Sequence, residues 1–376
     1  MDHDEQFKEK EVERLVVEST GDSSDTEHAT ALRVADEVDS EGSLLSAGTL
    51  IAGHYEVLSI IGQGAMGTVY KVKHLLVDQI RAVKLLRVSN KTQILRRFQQ
   101  EAKASLALEH PNIVRVFEFG IEPQMQQPYL VMEYVEGEAL SAVLEKNEKL
   151  TCEDAYAIIA QVCEALAHAH AKGIIHRDIK PANIVLTRSS NGAELAKLVD
   201  FGIAKLTTPE DGQNLTQTGE VFGTPLYMSP EQCLGQKVDA RSDIYSLGCV
   251  IYECLAGKPP FKGGSSLETI MMHVNADSVP DFSGTKISAS FESVICKTLE
   301  TKMVNRFQTV SDLQSALQDA VRNQSLVERS LADIARPSRL ALAKRRLRIA
   351  GMWFIFLSFF VMLFILLWLA EIIKSQ

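Results

Sequence analysis

A change in hydrophobic periodicity divides residues 55–322 into two parts. Between residues 55 and 135, apolar and polar residues alternate and β-branched side chains are frequent, as in half-buried strands, with one helical stretch at 92–108. From Thr151 onward, apolar residues recur mainly at helical spacing. The pattern predicts an α+β fold with two lobes and a cleft between them. We expect an N-lobe at about 55–135, with a five-stranded sheet and one long helix, and then a helical C-lobe.

The formal charge of the chain is concentrated near its N-terminus. Residues 1–41 contain fourteen acidic and four basic side chains, a net of −10, whereas the whole chain has a net charge of −9, so residues 42–376 sum to about +1. Residues 1–50 have too little apolar surface to offset the loss of chain entropy, and we expect a disordered acidic tail. The folded part has no basic stripe, which argues against nucleic acid as a partner.

A long uncharged run precedes the C-terminus, at residues 349–370. As a helix it would span roughly 33 Å at about 1.5 Å per residue, enough to cross a hydrocarbon core of about 30 Å. Trp353 and Trp368 lie near its two ends, where indole rings favour the membrane interface. A buried core helix is the alternative, but the run is long and apolar on all sides. We therefore predict one transmembrane helix.

Basic residues precede this run and are nearly absent after it, which predicts its orientation. The preceding group is Lys344, Arg345, Arg346 and Arg348, whereas Glu371 and Lys374 are the charged residues that follow. Because basic flanks stay in the cytoplasm, residues 1–348 are expected to face the cytosol. Residues 323–348 would then form a juxtamembrane linker with helical character, and residues 371–376 a short extracytoplasmic tail.

A GxGxxGxV loop occupies residues 62–69, between two predicted strands. Glycine lets the backbone approach a triphosphate without a Cβ clash. A dinucleotide-binding turn has the same glycines but must open a helix, whereas here the strand pattern resumes at 68–72. The loop is therefore predicted to be a hairpin that covers phosphates. Its residues are Gly62, Gln63, Gly64, Ala65, Met66, Gly67, Thr68 and Val69.

Lys84 ends an apolar strand that includes Ala82. A lysine there is costly to bury unless its ammonium group meets anionic oxygens. Phosphate oxygens and one carboxylate would satisfy it, and Glu101 on the following predicted helix is the natural carboxylate. Considered alone, Lys84 could also be a surface lysine.

The strongest signal is the segment HRDIKPAN at 176–183, followed by DFG at 200–202. With these motifs the sequence resembles the protein kinase family, and specifically the bacterial Hanks-type serine/threonine kinases, over residues 55–322. The resemblance implies a bilobal enzyme that transfers the γ-phosphoryl group of ATP to serine or threonine hydroxyls of proteins. It implies that Asp178 orients the attacking hydroxyl or accepts its proton. It also implies that Lys180 stabilises charge on the phosphoryl group during transfer. Asn183 and Asp200 would bind Mg²⁺, a hard cation that prefers oxygen.

The same resemblance assigns the adenine site and several supporting residues. Met132 would be the gatekeeper, and residues 133–135, including Glu133 and Val135, the hinge that hydrogen-bonds adenine. The apolar side chains around the ring would be Ile61, Val69, Ala82 and Val185. Glu231 is expected to pair with Arg306, and Asp243 to cap the backbone of the catalytic loop.

Regulation is expected in the segment that follows Asp200. Thr224 together with Lys180 is the serine/threonine pattern, and Thr224 would contact the catalytic loop. Arg177 is a cation beside the catalytic Asp178 and needs a partner. We predict that phosphorylated Thr216 or Thr218 supplies it; Thr207 and Thr208 are other candidates.

Two further hypotheses concern activity and assembly. The alternative to an active enzyme is a membrane-anchored pseudokinase scaffold that binds nucleotide without phosphoryl transfer. Anchoring would concentrate the chain in a thin layer at the cell (inner) membrane, favouring trans-autophosphorylation in a homodimer.

Overall fold

The computed structural model describes residues 44–64, 67–87, 92–189, 192–201, 225–285, 287–335, 356–358, 360 and 362. The acidic tail up to residue 43 and most of the predicted membrane span at 349–370 lie outside these residues. The chain divides into two units, Met1–Ala320 and Val321–Gln376. Both predicted lobes belong to the first unit.

Six of the described strands form one antiparallel sheet in the order β1-β2-β3-β4-β6-β5. These strands are β1 (Leu50–Ile51), β2 (Tyr55–Gly64), β3 (Gly67–His74), β4 (Gln79–Leu86), β5 (Val116–Ile121) and β6 (Pro128–Glu133). The five strands predicted between residues 55 and 135 are present as β2 to β6, and the sheet has one more strand, β1, which precedes them. β1 has two residues, too few to produce an alternating pattern, and it lies where we expected disordered chain.

The two faces of this sheet are buried against different parts of the lobe. One face forms a core that includes Ile51, Tyr55 and Val83. On the other face, Ala82 and Met132 pack against a helix, α1 (Thr92–Leu106), through Phe98 and Ala102 of that helix. Helix α1 lies on the face from which Lys84 also projects, since Lys84 and Ala82 are two residues apart on β4.

The chain then passes into a helical region with a second, three-stranded sheet, β7-β8-β9. In chain order the elements are β7 (Glu138–Ala139), α2 (Leu140–Asn147), α3 (Cys152–Ala171), a 3₁₀ turn (Pro181–Asn183), β8 (Ile184–Arg188) and β9 (Glu194–Leu198). The 3₁₀ turn connects directly to β8. Strands β8 and β9 of this small sheet therefore lie between the HRDIKPAN and DFG motifs in the chain.

The remaining described helices follow in the chain. They are α4 (Pro230–Cys233), α5 (Ala240–Ala256), α6 (Ser266–Val274), α7 (Ala289–Thr298), a 3₁₀ turn (Met303–Asn305) and α8 (Val310–Ala335). Helix α5 is buried along nearly its whole length, from Ser242 to Leu255. Most of these helices have a side-chain cap at their N-terminus, and each cap contributes about 1 kcal/mol to stability. The capping residues of α3 to α7 are Thr151, Ser229, Asp239, Ser265 and Ser288.

None of the helices in the described part of the chain combines the length and the apolarity that a membrane crossing requires.

Candidate active site

The glycine loop is a β-hairpin, as predicted. β2 and β3 are antiparallel, with Gln63 opposite Thr68 and Gly64 opposite Gly67; residues 65 and 66 lie outside the described chain. Gly67 has φ +152°, and a Cβ there would lie 2.1 Å from the Leu85 carbonyl oxygen, so the fold itself requires glycine. At Gly62 and Gly64 a Cβ would meet nothing of the described protein within 4 Å. At these two positions glycine leaves space for a ligand.

Lys84 is buried and its ammonium group pairs with the Asp200 carboxylate. The Nζ–Oδ2 distance is 2.8 Å, and the side chains are 7% and 27% exposed. The surface-lysine interpretation of Lys84 is therefore wrong. The pair joins β4 of the N-lobe sheet to the residue that follows the small sheet of the C-lobe. The sequence had suggested Glu101 for this carboxylate and had not suggested Asp200.

Glu101 lies on the packed face of α1. It is three residues after Phe98 and one before Ala102, both buried, and helical spacing places all three on one side. Ser105 on the same face has its Oγ 3.0 Å from the Glu101 carbonyl oxygen and 3.3 Å from that of Phe201. Helix α1 is thereby connected to the DFG segment. The contact predicted between Glu101 and Lys84 stays a prediction.

The Asp178 carboxylate is held by two neighbours in the catalytic loop. Lys180 Nζ lies 2.7 Å from Asp178 Oδ2, and Asn183 Nδ2 donates to the same oxygen at 3.0 Å and to the Asp178 carbonyl at 2.7 Å. Asp178 is one-third exposed. The Asp178 carboxylate thus has a fixed orientation and is accessible from solvent. A group that accepts a proton from a substrate needs both.

The two predicted magnesium ligands lie on adjacent, hydrogen-bonded backbone segments. The Val199 N–H donates to the Asn183 carbonyl at 3.0 Å, and Asp200 is the next residue. Because the Asn183 amide nitrogen is used by Asp178, its side-chain oxygen is the atom that can bind a cation. Among the described residues, no group of three or more His, Cys, Asp or Glu side chains could hold a metal. A Mg²⁺ held by one carboxylate, one amide oxygen and phosphate oxygens needs no such group.

His176 connects the catalytic loop to the strand before Asp200. Its Nδ1 accepts a hydrogen bond from the Asp178 N–H at 3.3 Å, so the ring proton is on Nε2, which donates to the Val199 carbonyl at 2.9 Å. Burial lowers the pKa of His176, which is fully buried. The imidazole is therefore neutral. Its ring also packs against Phe201, with centroids 4.5 Å apart.

Asp243 caps the backbone of the catalytic loop, as predicted. Its carboxylate accepts from the backbone N–H groups of His176 and Arg177, both at 2.8 Å, and lies 2.8 Å from the His170 ring. The side chain is completely buried on α5. Arg177 has φ +67°, a left-handed conformation that is unfavourable for a residue with a side chain. Asp243 therefore helps to hold a strained peptide next to Asp178.

The four apolar residues predicted around the adenine ring, Ile61, Val69, Ala82 and Val185, lie on four strands. Ala82 and Met132 are core residues opposite each other on β4 and β6, with Val69 and Val135 packed against the same cluster. Ile61 is on β2, next to the pair formed by Gly62 and Val69, and is half exposed. Val185 lies on β8, opposite Ala139 and Lys197. Val69, Ala82 and Met132 thus line one surface of the N-lobe sheet.

An ion pair that we did not predict joins the hinge to the small sheet. Lys197 Nζ on β9 lies 2.9 Å from Glu133 Oε2, and the Lys197 side chain is 12% exposed. Glu133 is the last residue of β6, where the chain leaves the N-lobe. Lys197 is three residues before Asp200. The pair fixes the hinge relative to the segment that leads to the DFG motif.

The predicted ion pair between Glu231 and Arg306 is present and buried. Both guanidinium NH₂ groups lie 2.9 Å from the carboxylate oxygens, a bidentate contact between side chains that are 3% and 0% exposed. Burial alone would raise the pKa of Glu231, but the hydrogen bonds and charge of Arg306 lower it below its usual value. Glu231 is therefore ionised and anchors α4, which comes after the segment following Asp200 in which regulation is predicted.

Some predicted regulatory residues, and part of the glycine loop, lie outside the described residues. These are Ala65, Met66, Thr216, Thr218 and Thr224. Arg177, by contrast, is described: its Nε is buried and has no hydrogen-bond partner within the described part of the chain. The sequence also gave no indication of Gln232, whose side chain reaches the catalytic loop. The S-x-x-Q spacing from Ser229 signals a capping box at this helix start, but not the contact with the loop.

Comparisons with known proteins agree with this geometry. The Protein kinase domain family matches residues 55–319. The serine/threonine-protein kinase PknB of Mycobacterium tuberculosis (strain ATCC 25618 / H37Rv) is 40% identical over 272 residues, 71% of this chain and 43% of that protein. PrkC of Bacillus subtilis (strain 168) is 36% identical over 286 residues, 75% of this chain and 43% of that protein. The chain thus spans less than half the length of these curated relatives.

Solved structures show the same fold. The crystal structure of the Mycobacterium tuberculosis PknI kinase domain is 29% identical, covers 74% of this chain and all of that domain, and has a TM-score of 0.59. The family match runs through both lobes and includes the loop that carries Asp178. By this match and by its bacterial relatives, the chain belongs to the protein kinase family, in the group of bacterial Hanks-type serine/threonine kinases.

Proposed function

We propose that this chain transfers the γ-phosphoryl group of ATP to serine and threonine hydroxyls of proteins. The observation that supports this most directly is the arrangement around Asp178. Its carboxylate is oriented by Lys180 and Asn183, while Lys84 and Asp200 form an ion pair that joins the two lobes. A proton acceptor, two cations and two oxygen ligands are the groups that phosphoryl transfer requires.

Each group has a distinct role in the proposed reaction. Asp178 orients the substrate hydroxyl and accepts its proton, and Lys180, 2.7 Å away, stabilises charge on the group in transit. Lys84, held by Asp200, places a positive charge where the α- and β-phosphates would bind under the glycine hairpin. Asn183 and Asp200 would hold Mg²⁺, whose chemistry is to neutralise charge on the phosphate oxygens.

Phosphoryl transfer to a generic basic protein tests this proposal, with Asp178→Asn as the control. General-base catalysis contributes typically about 10²- to 10⁴-fold, so we expect a loss of that size in kcat with MgATP binding retained. Equal transfer by both proteins would contradict the mechanism. MgATP binding without transfer by either protein would instead support the alternative, a pseudokinase scaffold.

Activation by phosphorylation of Thr216 or Thr218 is the second part of the proposal. It is supported by Arg177, whose buried Nε lacks a partner in the described chain and lies beside Asp178. A phosphothreonine would supply charge-assisted hydrogen bonds to the guanidinium. Mass spectrometry after incubation with MgATP should find phosphate between Leu206 and Gly223. An active preparation without phosphate there would reject this part.

We also propose that residues 349–370 anchor the chain in the inner membrane, with the kinase domain in the cytoplasm. The support is the uncharged run and its basic N-terminal flank. Truncation after Arg348 should move the kinase from the membrane fraction to the soluble fraction, and an unchanged distribution would exclude this anchor.

Protein substrates and a homodimer for trans-autophosphorylation complete the proposal. The initial rate of phosphorylation should then rise faster than linearly with kinase concentration.

A further inference from the structure

Gln232 reaches from the start of α4 to the strained peptide of the catalytic loop. Its Nε2 donates to the Arg177 carbonyl at 2.8 Å. Arg177 has φ +67°, and its carbonyl belongs to the peptide unit whose nitrogen is that of Asp178. The contact joins residues that are 55 positions apart. Gln232 therefore holds the backbone immediately before the proposed proton acceptor.

The backbone N–H groups of Arg177 and Asp178 are held as well. Asp243 accepts from the Arg177 N–H at 2.8 Å, and His176 Nδ1 accepts from the Asp178 N–H at 3.3 Å. Gln232 supplies the donor for the carbonyl. A left-handed residue with a side chain is strained by about 1–3 kcal/mol and persists only where its surroundings fix it. Here it is fixed by two side chains from other elements, Gln232 on α4 and Asp243 on α5, and by the neighbouring His176.

The orientation of Gln232 is itself fixed by the capping box of α4. Its Oε1 accepts from the Ser229 N–H at 3.1 Å and from the Ser229 hydroxyl at 3.0 Å, while the Ser229 hydroxyl accepts from the Gln232 N–H. With its oxygen engaged by Ser229, the amide must present its nitrogen to Arg177. Ser229 is completely buried. The carboxamide is thus preorganised as a donor.

We infer that Gln232 is a positioning residue for phosphoryl transfer, which sets the Asp178 carboxylate through the Arg177–Asp178 peptide. The inference rests on the proposed kinase activity. Residues 225–229 lead directly from Thr224, which is predicted to contact the catalytic loop, into α4. The hydrogen bond therefore couples the start of α4 to the orientation of the proton acceptor. The connection runs through Gln232, Arg177 and Asp178 and not through the residues proposed to bind MgATP.

Steady-state kinetics of the full chain test the inference with two variants. Gln232→Met keeps the length of the side chain and removes the donor, and we expect kcat about tenfold lower with KM for MgATP within twofold. Ser288→Ala is the matched control: it removes the side-chain cap of α7 and lowers stability but leaves Ser229, Gln232 and Arg177 unchanged, so kcat should stay within about twofold. The concentration of folded enzyme in each preparation, which is needed to calculate kcat, is obtained from the stoichiometry of MgATP binding in calorimetry.

A pH series on Gln232→Glu separates positioning from a structural role. A carboxylate cannot donate to the Arg177 carbonyl, whereas a protonated carboxyl can. The ratio of variant to wild-type kcat should therefore rise as the pH falls through the pKa of the introduced carboxyl. This series decides the question if Gln232→Met fails to fold.

The outcomes are distinct. An inactive wild-type chain overturns the proposed function. An active wild type with Gln232→Met within twofold of its kcat, or a Gln232→Glu ratio that does not change with pH, overturns the role of Gln232 alone. An equal loss of kcat in Ser288→Ala and Gln232→Met would also overturn it, because a general loss of stability would then explain both.

Discussion

Replacing Arg306 with methionine should leave one of the most deeply buried carboxylates of the described chain without a partner. In the intact protein the guanidinium donates to both oxygens of Glu231 and to the backbone carbonyls of Arg241, Glu300 and Thr301. Its side chain is 0% exposed and that of Glu231 is 3% exposed. Water cannot replace these contacts without opening the lobe.

The expected magnitude follows from this burial. Removing one partner of a buried, bidentate ion pair destabilises a protein by about 3–5 kcal/mol, because the remaining charge is neither hydrated nor paired. Total stability is typically about 5–15 kcal/mol, so the variant should lose a large part of it. Arg306→Lys keeps the positive charge but loses the planar guanidinium that contacts both carboxylate oxygens. Its stability should therefore lie between that of the wild type and that of Arg306→Met.

The loss should also depend on pH. In the intact protein the pKa of Glu231 is below its usual value, so the pair stabilises the fold above that usual value and loses this contribution as the pH falls through the lowered pKa. In Arg306→Met, burial acts alone and raises the pKa of Glu231. The carboxyl then takes up a proton on mild acidification, and the difference in stability between variant and wild type shrinks toward pH 5.

Urea denaturation of the chain at pH 7 and pH 5 measures both effects. The double variant Arg306→Met with Glu231→Leu is the control, since it leaves no unpaired charge and should recover part of the loss. A loss below about 1 kcal/mol in Arg306→Met, or no recovery in the double variant, would refute the view that an unpaired buried carboxylate dominates.

Three other predictions concern the site and its surroundings. Lys84→Met should lower kcat/KM for MgATP by about 10²- to 10³-fold, because a preorganised cation at the phosphates is lost; kinetics at saturating protein substrate measures this, and a change below tenfold would contradict it. Lys197→Met should raise KM for ATP about threefold with kcat retained, because Glu133 at the hinge loses its ion pair; an unchanged KM would show that this pair does not position the hinge. Burial lowers the pKa of His273 to about 4, so the fold should lose up to about 3 kcal/mol of stability as the pH falls from about 6.5 toward 4. Denaturation of His273→Asn at several pH values should show a shallower pH dependence of the unfolding free energy. An equal slope in variant and wild type would contradict the assignment.

The sequence by itself determined which chemistry the chain carries and which local structures hold it. The strand pattern on both sides of the glycine loop distinguished a hairpin from a dinucleotide-binding turn, and β2 and β3 have that form. The HRDIKPAN segment identified the loop in which Asp178, Lys180 and Asn183 contact one another. These groups lie within a few residues of one another, so local spacing is sufficient to predict them. The two-residue strand β1 was missed because periodicity needs a longer segment.

Tertiary structure alone decided how distant segments meet. Lys84 pairs with Asp200, Lys197 lies 64 residues from its partner Glu133, and Gln232 lies 55 residues from Arg177. Several carboxylates and carbonyls could satisfy each of these donors, and the sequence does not rank them. Packing of the two lobes and of α4 brings one acceptor within hydrogen-bonding distance while the others remain too far away. Because electrostatic and hydrogen-bond energies fall steeply with distance, that placement selects the partner.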